Sequence, residues 1–217
     1  MLQPPPAEPA SLEDLPSQPI GGKTLYRVWR AGAPVERPEP WWFSSRTGAD
    51  GGRFDLSTPL GTLSTSTSAA GALLEALQAH LTNLPTEELQ VRRSAAIIVP
   101  DAAPPTADLC DPAVAGKGVT AAMWAGAERD LTQRWAAALR RDGWWALHAG
   151  IHHDPSGQLR AVAVFGATGH TAPTLGGEWT FTTHSLHDDP NVAVELAHYG
   201  VQIRGGGELP FTDEIPN

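Results

Sequence analysis

The sequence predicts an α+β protein: a mixed, mostly antiparallel sheet with flanking helices. Three observations carry this. The elements run strand, helix, strand, helix and then several strands, so helices do not alternate with strands as a doubly wound parallel sheet requires. The run Asp154-Pro155-Ser156-Gly157 separates two strand-like stretches, the mark of a hairpin. Two stretches carry apolar residues at helical spacing, one after Thr67 and one after Ala127.

The elements follow in order. Residues 1–20 are rich in proline and acid and read as a flexible or extended lead, with folded sequence beginning near Lys23. Thr24 to Trp29 is a strand of β-branched and aromatic residues after a Gly-Gly break. Ala31 to Asp50 reads as a loop anchored by Trp41, Trp42 and Phe43. Gly51-Gly52 permits an unusual backbone turn before Arg53. Pro59 to Ser66 is a short strand. Thr67 or Ser68 caps a helix running to about Leu81, with Ala70, Leu73, Leu74, Leu77 and Leu81 on one face. Ala95 to Val99 is a buried strand stopped by Pro100, and Val119 to Ala125 a short helix. Ala127 to Arg141 is a longer helix with Leu131, Trp135, Ala138 and Leu139 as its stripe. Arg140 and Arg141 suit its C-terminal dipole and Gly143 its cap. Trp144 to Ile151 and Leu159 to Phe165 form the hairpin. Trp179 to His184 and Val201 to Arg204 are further strands. The division expected is a lead over 1–20, a main domain over 21–169 and an extension over 170–217 packed on it.

Composition narrows the function. The chain has 217 residues, 41% of them hydrophobic, and carries a formal charge of −9. Arg92-Arg93 and Arg140-Arg141 are isolated basic pairs, so nucleic acid and anionic membrane are not expected partners. An acidic chain still binds a small anion if a few arginines are well placed. The start of the chain has no cationic or apolar leader, and no apolar run reaches bilayer length. The single cysteine, Cys110, allows no internal disulfide, which suits a reducing, cytoplasmic setting.

Four places hold residues with chemical potential. Arg27 lies in the first strand. A charged strand residue ordinarily takes the solvated face, here with Leu25 and Trp29 turned the other way; the alternative is an arginine aimed into a cleft to fork onto phosphate or carboxylate. Arg53 follows the Gly-Gly turn and is either a surface arginine or a ligand-reaching one. Glu75 lies off the leucine stripe of its helix. As a catalytic carboxylate it needs a loop, such as the one before it or the Trp41-Trp42 loop, folded over that face. His184, His187, Asp188 and Asp189 form a polar cluster, for which a loop is a better reading than a metal site. Cys110, in a proline-rich loop with no histidine beside it in sequence, is not expected to be a nucleophile.

Taken together, LYRVWR, a Pro/Trp/Phe loop, GGRFDL and PLGTLSTSTSAAGALLE resemble the opening of RES-domain proteins. ERDLTQRWAAALRRDGWWAL is similar to that family's later helix, and LRAVAVFG to its closing strand. The resemblance covers roughly Lys23 to Gly166.

It implies an ADP-ribosyltransferase-like fold and an enzyme that consumes NAD, by hydrolysis or phosphorolysis of the nicotinamide–ribose bond or by transfer of ADP-ribose to a protein. Many members are toxins held inactive by an Xre-type antitoxin. By the resemblance, Glu75 and Arg27 are catalytic, and Arg27, Arg53, Tyr26 and Ser64 bind NAD. NAD enters as a substrate; no cofactor and no metal are expected. An antitoxin protein and a second copy of the chain are the macromolecular partners to look for. The chain also departs from the family. Ser64 stands where many members have tyrosine, and Ala149-Gly150-Ile151 where they have Tyr-x-Ser. His148, His152 and His153 lie close by in sequence as substitutes on the acceptor side. These departures keep a weakened enzyme, acting only as a binding module, as the alternative.

Overall fold

The computed structural model describes residues 2–8, 11–31 and 39–204. Part of the expected 31–50 loop and the end of the expected extension lie outside these described residues. Among the described residues there are ten strands: β1 (Ser17–Gln18), β2 (Thr24–Arg30), β3 (Leu60–Ser66), β4 (Leu84–Pro85), β5 (Arg92–Ile98), β6 (Thr106–Asp108), β7 (Ala146–Gly150), β8 (Arg160–Ala167), β9 (Thr180–Ser185) and β10 (Ile203–Arg204). Five α-helices accompany them: α1 (Ala69–Leu77), α2 (Thr86–Gln90), α3 (Ala122–Ala125), α4 (Arg129–Arg141) and α5 (Pro190–His198). Eight strands form one sheet in the order β1-β6-β7-β8-β3-β2-β5-β9, and β4 pairs with β10 apart from it. Every pairing in the large sheet is antiparallel except that of β6 with β7. The α+β expectation is met.

The elements form where their residues direct them. Ser68, in extended backbone, accepts a hydrogen bond from Gly71 N and so caps α1. That helix ends at Leu77, and a 3₁₀ turn over Gln78–His80 takes up the remainder of the expected span. In α4 the stripe Trp135, Ala138 and Leu139 is buried, and Gly143 just beyond its end has φ +93°, the left-handed conformation that closes a helix without a Cβ penalty. β7 and β8 form the hairpin, from Ala146↔Val164 to Gly150↔Arg160.

Three apolar clusters hold the domain. The first lies between α4 and the strands β6, β7 and β8, centred on Trp135, Leu139, Leu147 and Phe165. The second gathers Trp29, Trp41, Phe43, Trp145 and Trp179 with Leu63 and Ile97. The third joins α1 to α5 through Leu73, Leu77, Leu186, Val192 and Leu196.

The lead is a correction. Leu2, Leu12 and Leu15 are buried in the first cluster, and Ser17–Gln18 pairs with β6. Three well-spaced leucines bury enough apolar surface to order a proline-rich segment, which composition alone does not reveal. At the other end, β9 is the edge strand of the main sheet and α5 lies against α1. The strands β1, β4 and β6 and the helices α2 and α5 went unread in the sequence. Among the described residues no helix is long and apolar enough to cross a membrane.

The feature that positions the site is a weak seam. β2 and β3 are neighbours in the sheet but share a single registered pair, Tyr26↔Ser66. Their outer partners are fully zipped: β2 to β5 over seven pairs and β3 to β8 over seven. The sheet therefore opens between β2 and β3, and α1 sits beside the opening.

Candidate active site

A cleft of about 190 Å³ occupies that opening; its wall includes Arg27, Arg53, Glu75, Arg129, Tyr26 and Ser64. An adjoining hollow of about 220 Å³ shares Tyr26, Arg27 and Val28 with it and continues along α1 and β5 to His184 and Val192.

Arg27 corrects its expected placement. Residues 25, 27 and 29 are two apart in a strand and so share one face. Arg27 nevertheless stays out of the apolar cluster, because its guanidinium crosses the seam. Its Nη1 donates to Ser64 O at 2.9 Å and its Nη2 to Trp42 O at 3.4 Å. One donor thus braces β2 against β3, and the other holds the segment at Trp42. What Arg27 brings to the cleft is a fixed positive charge.

Arg53 is held from the opposite side. Its Nη1 donates to Gly126 O, and its own carbonyl accepts from the Thr132 hydroxyl. Gln133 donates to Gly48 O and Gly52 O and accepts from Gly48 N. Thr132 and Gln133 of α4 thus clamp the turn that carries Arg53. The expected special backbone at Gly51-Gly52 is absent, since neither glycine has positive φ. Both are needed for space instead. A Cβ on Gly51 would run into Arg46 O, and one on Gly52 would stand 2.6 Å from Asp55 Oδ1. Gly51→Ala is therefore expected to cost about 1–3 kcal/mol in urea unfolding by pushing the turn off α4. An unchanged midpoint would refute the tight fit.

Arg129, at the start of α4, is the residue the sequence reading missed. It lines the cleft and donates to Gly51 O at 3.2 Å. Read alone it is a first-turn arginine on an exposed helix end. Its sequence signal is its place in ERDLTQ, next to the Thr132-Gln133 clamp.

Glu75 faces the same cleft from α1. The segment that covers it is neither of the loops anticipated: the residues just after β7 do so, with His152 N donating to Glu75 Oε1 at 3.2 Å. Burial pushes the carboxyl above its ordinary value, while the His152 hydrogen bond and the charges of Arg53, His152 and Arg129 pull it down. Arg53 is lowered by burial and by Arg129, and raised by Glu75. The cleft is therefore a locally cationic place on an acidic chain, with one carboxylate at its wall.

The acceptor-side histidines separate. His152 lines the cleft and stacks edge-on to His153 at 4.5 Å. Burial, then the charges of His152 and Arg53, lowers the His153 pKa. His148 belongs elsewhere: it is buried on β7 with its Nδ1 3.0 Å from Asp108 Oδ1, and it does not line the cleft. Ile151 is buried and only Gly150 of the Ala149–Ile151 stretch reaches the cleft wall. Trp41 packs edge-on to Phe181 at 5.2 Å in the second apolar cluster, and Tyr26 and Phe54 are the aromatic residues on the cleft wall.

Of the polar cluster near β9, His184 and Asp189 both line the second hollow, and Asp189 also caps α5 by accepting from Asn191 N. Among the described residues one group of metal-ligating type does come together, Asp108, Cys110 and His148. The fold thus places a histidine beside Cys110 that the sequence does not.

Comparisons with known proteins agree with this geometry. A family model described as the RES domain matches residues 24–184. Among solved structures, the crystal structure of the M. tuberculosis MbcT–MbcA toxin–antitoxin complex contains a chain that matches with a TM-score of 0.56. That chain is 17% identical, and the match covers 86% of this chain and 91% of that one. At such identity the likeness is one of fold. None of the curated proteins matches the sequence.

Proposed function

The chain belongs to the RES-domain family, and on that premise we propose that it is an NAD-consuming, toxin-like enzyme that cleaves the nicotinamide–ribose bond. The observation that carries the reading is the gathering of Arg27, Arg53, Arg129 and Glu75 around one cleft at the β2–β3 seam. The fold is ADP-ribosyltransferase-like.

The chemistry is coherent with these residues. NAD presents a pyrophosphate, and three guanidinium groups braced on backbone carbonyls hold charge for it without having to reorganise on binding. A dinucleotide exceeds the first hollow, so the reading uses the adjoining one as well. Cleavage develops positive charge on the ribose carbon and its ring oxygen. Ionised Glu75 stabilises that charge and accepts a hydrogen bond from a ribose hydroxyl. Nicotinamide leaves as a neutral ring from a cationic one, so no general acid is required. The acceptor attacks from the side of exposed His152, which lines the cleft. Water or phosphate is the acceptor in the main reading, hydrolysis or phosphorolysis, and a protein side chain the acceptor in the second, ADP-ribosylation.

Regulation follows from the same premise. We take the antitoxin of an Xre type as the protein partner, in line with the toxin–antitoxin complex that shares the fold. The test is direct. Purified protein incubated with NAD, with and without inorganic phosphate, should release nicotinamide; ADP-ribose or its 1″-phosphate then identifies the acceptor. Absence of release under both conditions, with NAD still bound, would leave the non-catalytic module as the correct reading.

Arg53 gives a sharper prediction. A charge-assisted hydrogen bond contributes about 1.5–3 kcal/mol, so Arg53→Ala should raise KM for NAD about 10- to 150-fold. Arg27→Ala should raise KM too, and should also lower the melting temperature, because it removes the brace across the seam. An Arg53→Ala enzyme with unchanged KM would remove Arg53 from the NAD site.

A further inference from the structure

β6 and β7 are the parallel pair of the sheet, and their register sets Asp108 directly beside His148. Cys110 lies in the turn that follows β6, folded back so that its N donates to Asp108 Oδ1. The intervening Leu109 points the other way and is 1% exposed in the first apolar cluster, as are Leu147 and Ala149 on either side of His148 at 0%. The fold thus collects one carboxylate, one thiol and one imidazole at the end of the β6–β7 pair. One donor atom from each lies within 4.8 Å of the other two.

We propose that Asp108, Cys110 and His148 form a binding site for a zinc-class divalent cation, separate from the NAD cleft. Three arguments support it. The donor set is mixed sulfur, nitrogen and oxygen, which suits a borderline ion such as Zn²⁺ and does not suit Mg²⁺ or Ca²⁺. The charges balance: a dication with a thiolate and a carboxylate is neutral, a favourable state for a half-buried site. The spacing is close to what is needed. Tetrahedral zinc with ordinary bond lengths wants its ligand atoms about 3.3–3.7 Å apart. Asp108 Oδ1 and His148 Nδ1 already stand 3.0 Å apart, so the pair needs to open only slightly. On binding, the Cys110 thiol gives one proton to solvent. An imidazole that coordinates through Nδ1 carries its proton on Nε2. The fourth position belongs to water. Cys110 N already donates to Asp108 Oδ1 at 3.0 Å, an outer contact that orients the carboxylate. The bound ion clips the turn after β6 to β7, two residues before Gly150 at the cleft wall.

The site stands without the NAD reading. The experiment is a Co²⁺ titration of the whole protein after chelator treatment, followed by absorption. The expected result is one equivalent bound per chain, with a thiolate-to-cobalt charge-transfer band in the near ultraviolet that Zn²⁺ bleaches. Cys110 is the only cysteine in the chain, so the band can come from nowhere else. Cys110→Ser should abolish it, and Asp108→Asn and His148→Gln should each weaken binding at least tenfold. Bound Co²⁺ should also raise the melting temperature of the wild type. Absence of the band at excess Co²⁺ overturns the site even if no variant folds. A band that Asp108→Asn and His148→Gln leave unchanged, or a stoichiometry of one ion per two chains, overturns it equally.

Discussion

Glu75→Gln is expected to lower nicotinamide release at least a hundredfold while leaving the protein as stable as the wild type, or more so, at neutral pH. Losing one charge that stabilises a developing cation costs about 10²–10³ in kcat. The stability half follows from the environment. Burial raises the Glu75 carboxyl, and the hydrogen bond from His152 N with the nearby cations offsets only part of that. A carboxyl raised in the folded state binds its proton more tightly there than in the unfolded chain. Its favourable contribution is therefore present at low pH and is lost as pH rises through the raised value. Above that value the ionised carboxylate is a cost. Glutamine removes the charge and keeps an oxygen for His152 N–H. The stability gain of Glu75→Gln should shrink as pH falls and vanish once the wild-type carboxyl is protonated. The same shift predicts that wild-type turnover loses activity on the acid side above the ordinary glutamate range. Thermal melts across a pH series, with initial rates on the same samples, test both halves. A Glu75→Gln enzyme within a few-fold of wild type would remove Glu75 from the chemistry; a lowered melting temperature at neutral pH would refute the burial argument.

The parts of the fold that were legible are those governed by local pattern. The stripe of α4, the Ser68 cap of α1 and the 154–157 hairpin follow from residue spacing and turn chemistry, which neighbours do not alter. β1 and β6 were not legible, because two- and three-residue strands have no period to read. For the site, Arg27, Arg53 and Glu75 were found through motifs and do share a cleft. Their settings were not readable. Arg27 looked solvated because Leu25 and Trp29 were placed on the opposite face, whereas residues two apart in a strand share one; its release from the core comes from the open β2–β3 seam, which no strand pattern shows. Glu75 looked exposed because the segment that covers it comes from seventy-seven positions further along the chain. His148 and His152 looked equivalent in sequence, yet the ring of one meets Asp108 Oδ1 and the ring of the other Trp124 O. Sequence proximity is a poor guide where a strand ends, since successive residues diverge there.

The lead supplies the second large effect. Deleting residues 2–16 is expected to leave a chain that does not fold stably, although a proline-rich acidic end would ordinarily be trimmed without consequence. Leu2, Leu12 and Leu15 are each at most 5% exposed. Fully burying a leucine contributes about 1.5–3 kcal/mol. The lead also satisfies buried polar groups of the core. Trp135 Nε1 donates to Gln3 O and Trp144 Nε1 to Leu12 O, both at 2.8 Å. Leu12 N donates to Asp142 Oδ2 at 3.1 Å, and the Asp142 side chain is 0% exposed. Each indole N–H left unsatisfied costs about 1–3 kcal/mol, while Asp142 loses one donor and keeps Arg141. These losses together reach the total stability of an ordinary domain, about 5–15 kcal/mol. Leu12→Ala isolates one part: it keeps the backbone bonds and should cost about 2–5 kcal/mol, read as a lower urea midpoint at unchanged slope. A truncated chain that melts with the full-length protein would show that the lead only rests on the domain. A truncated chain that fails while Leu12→Ala loses little would place the stabilisation in the hydrogen bonds to Trp135, Trp144 and Asp142.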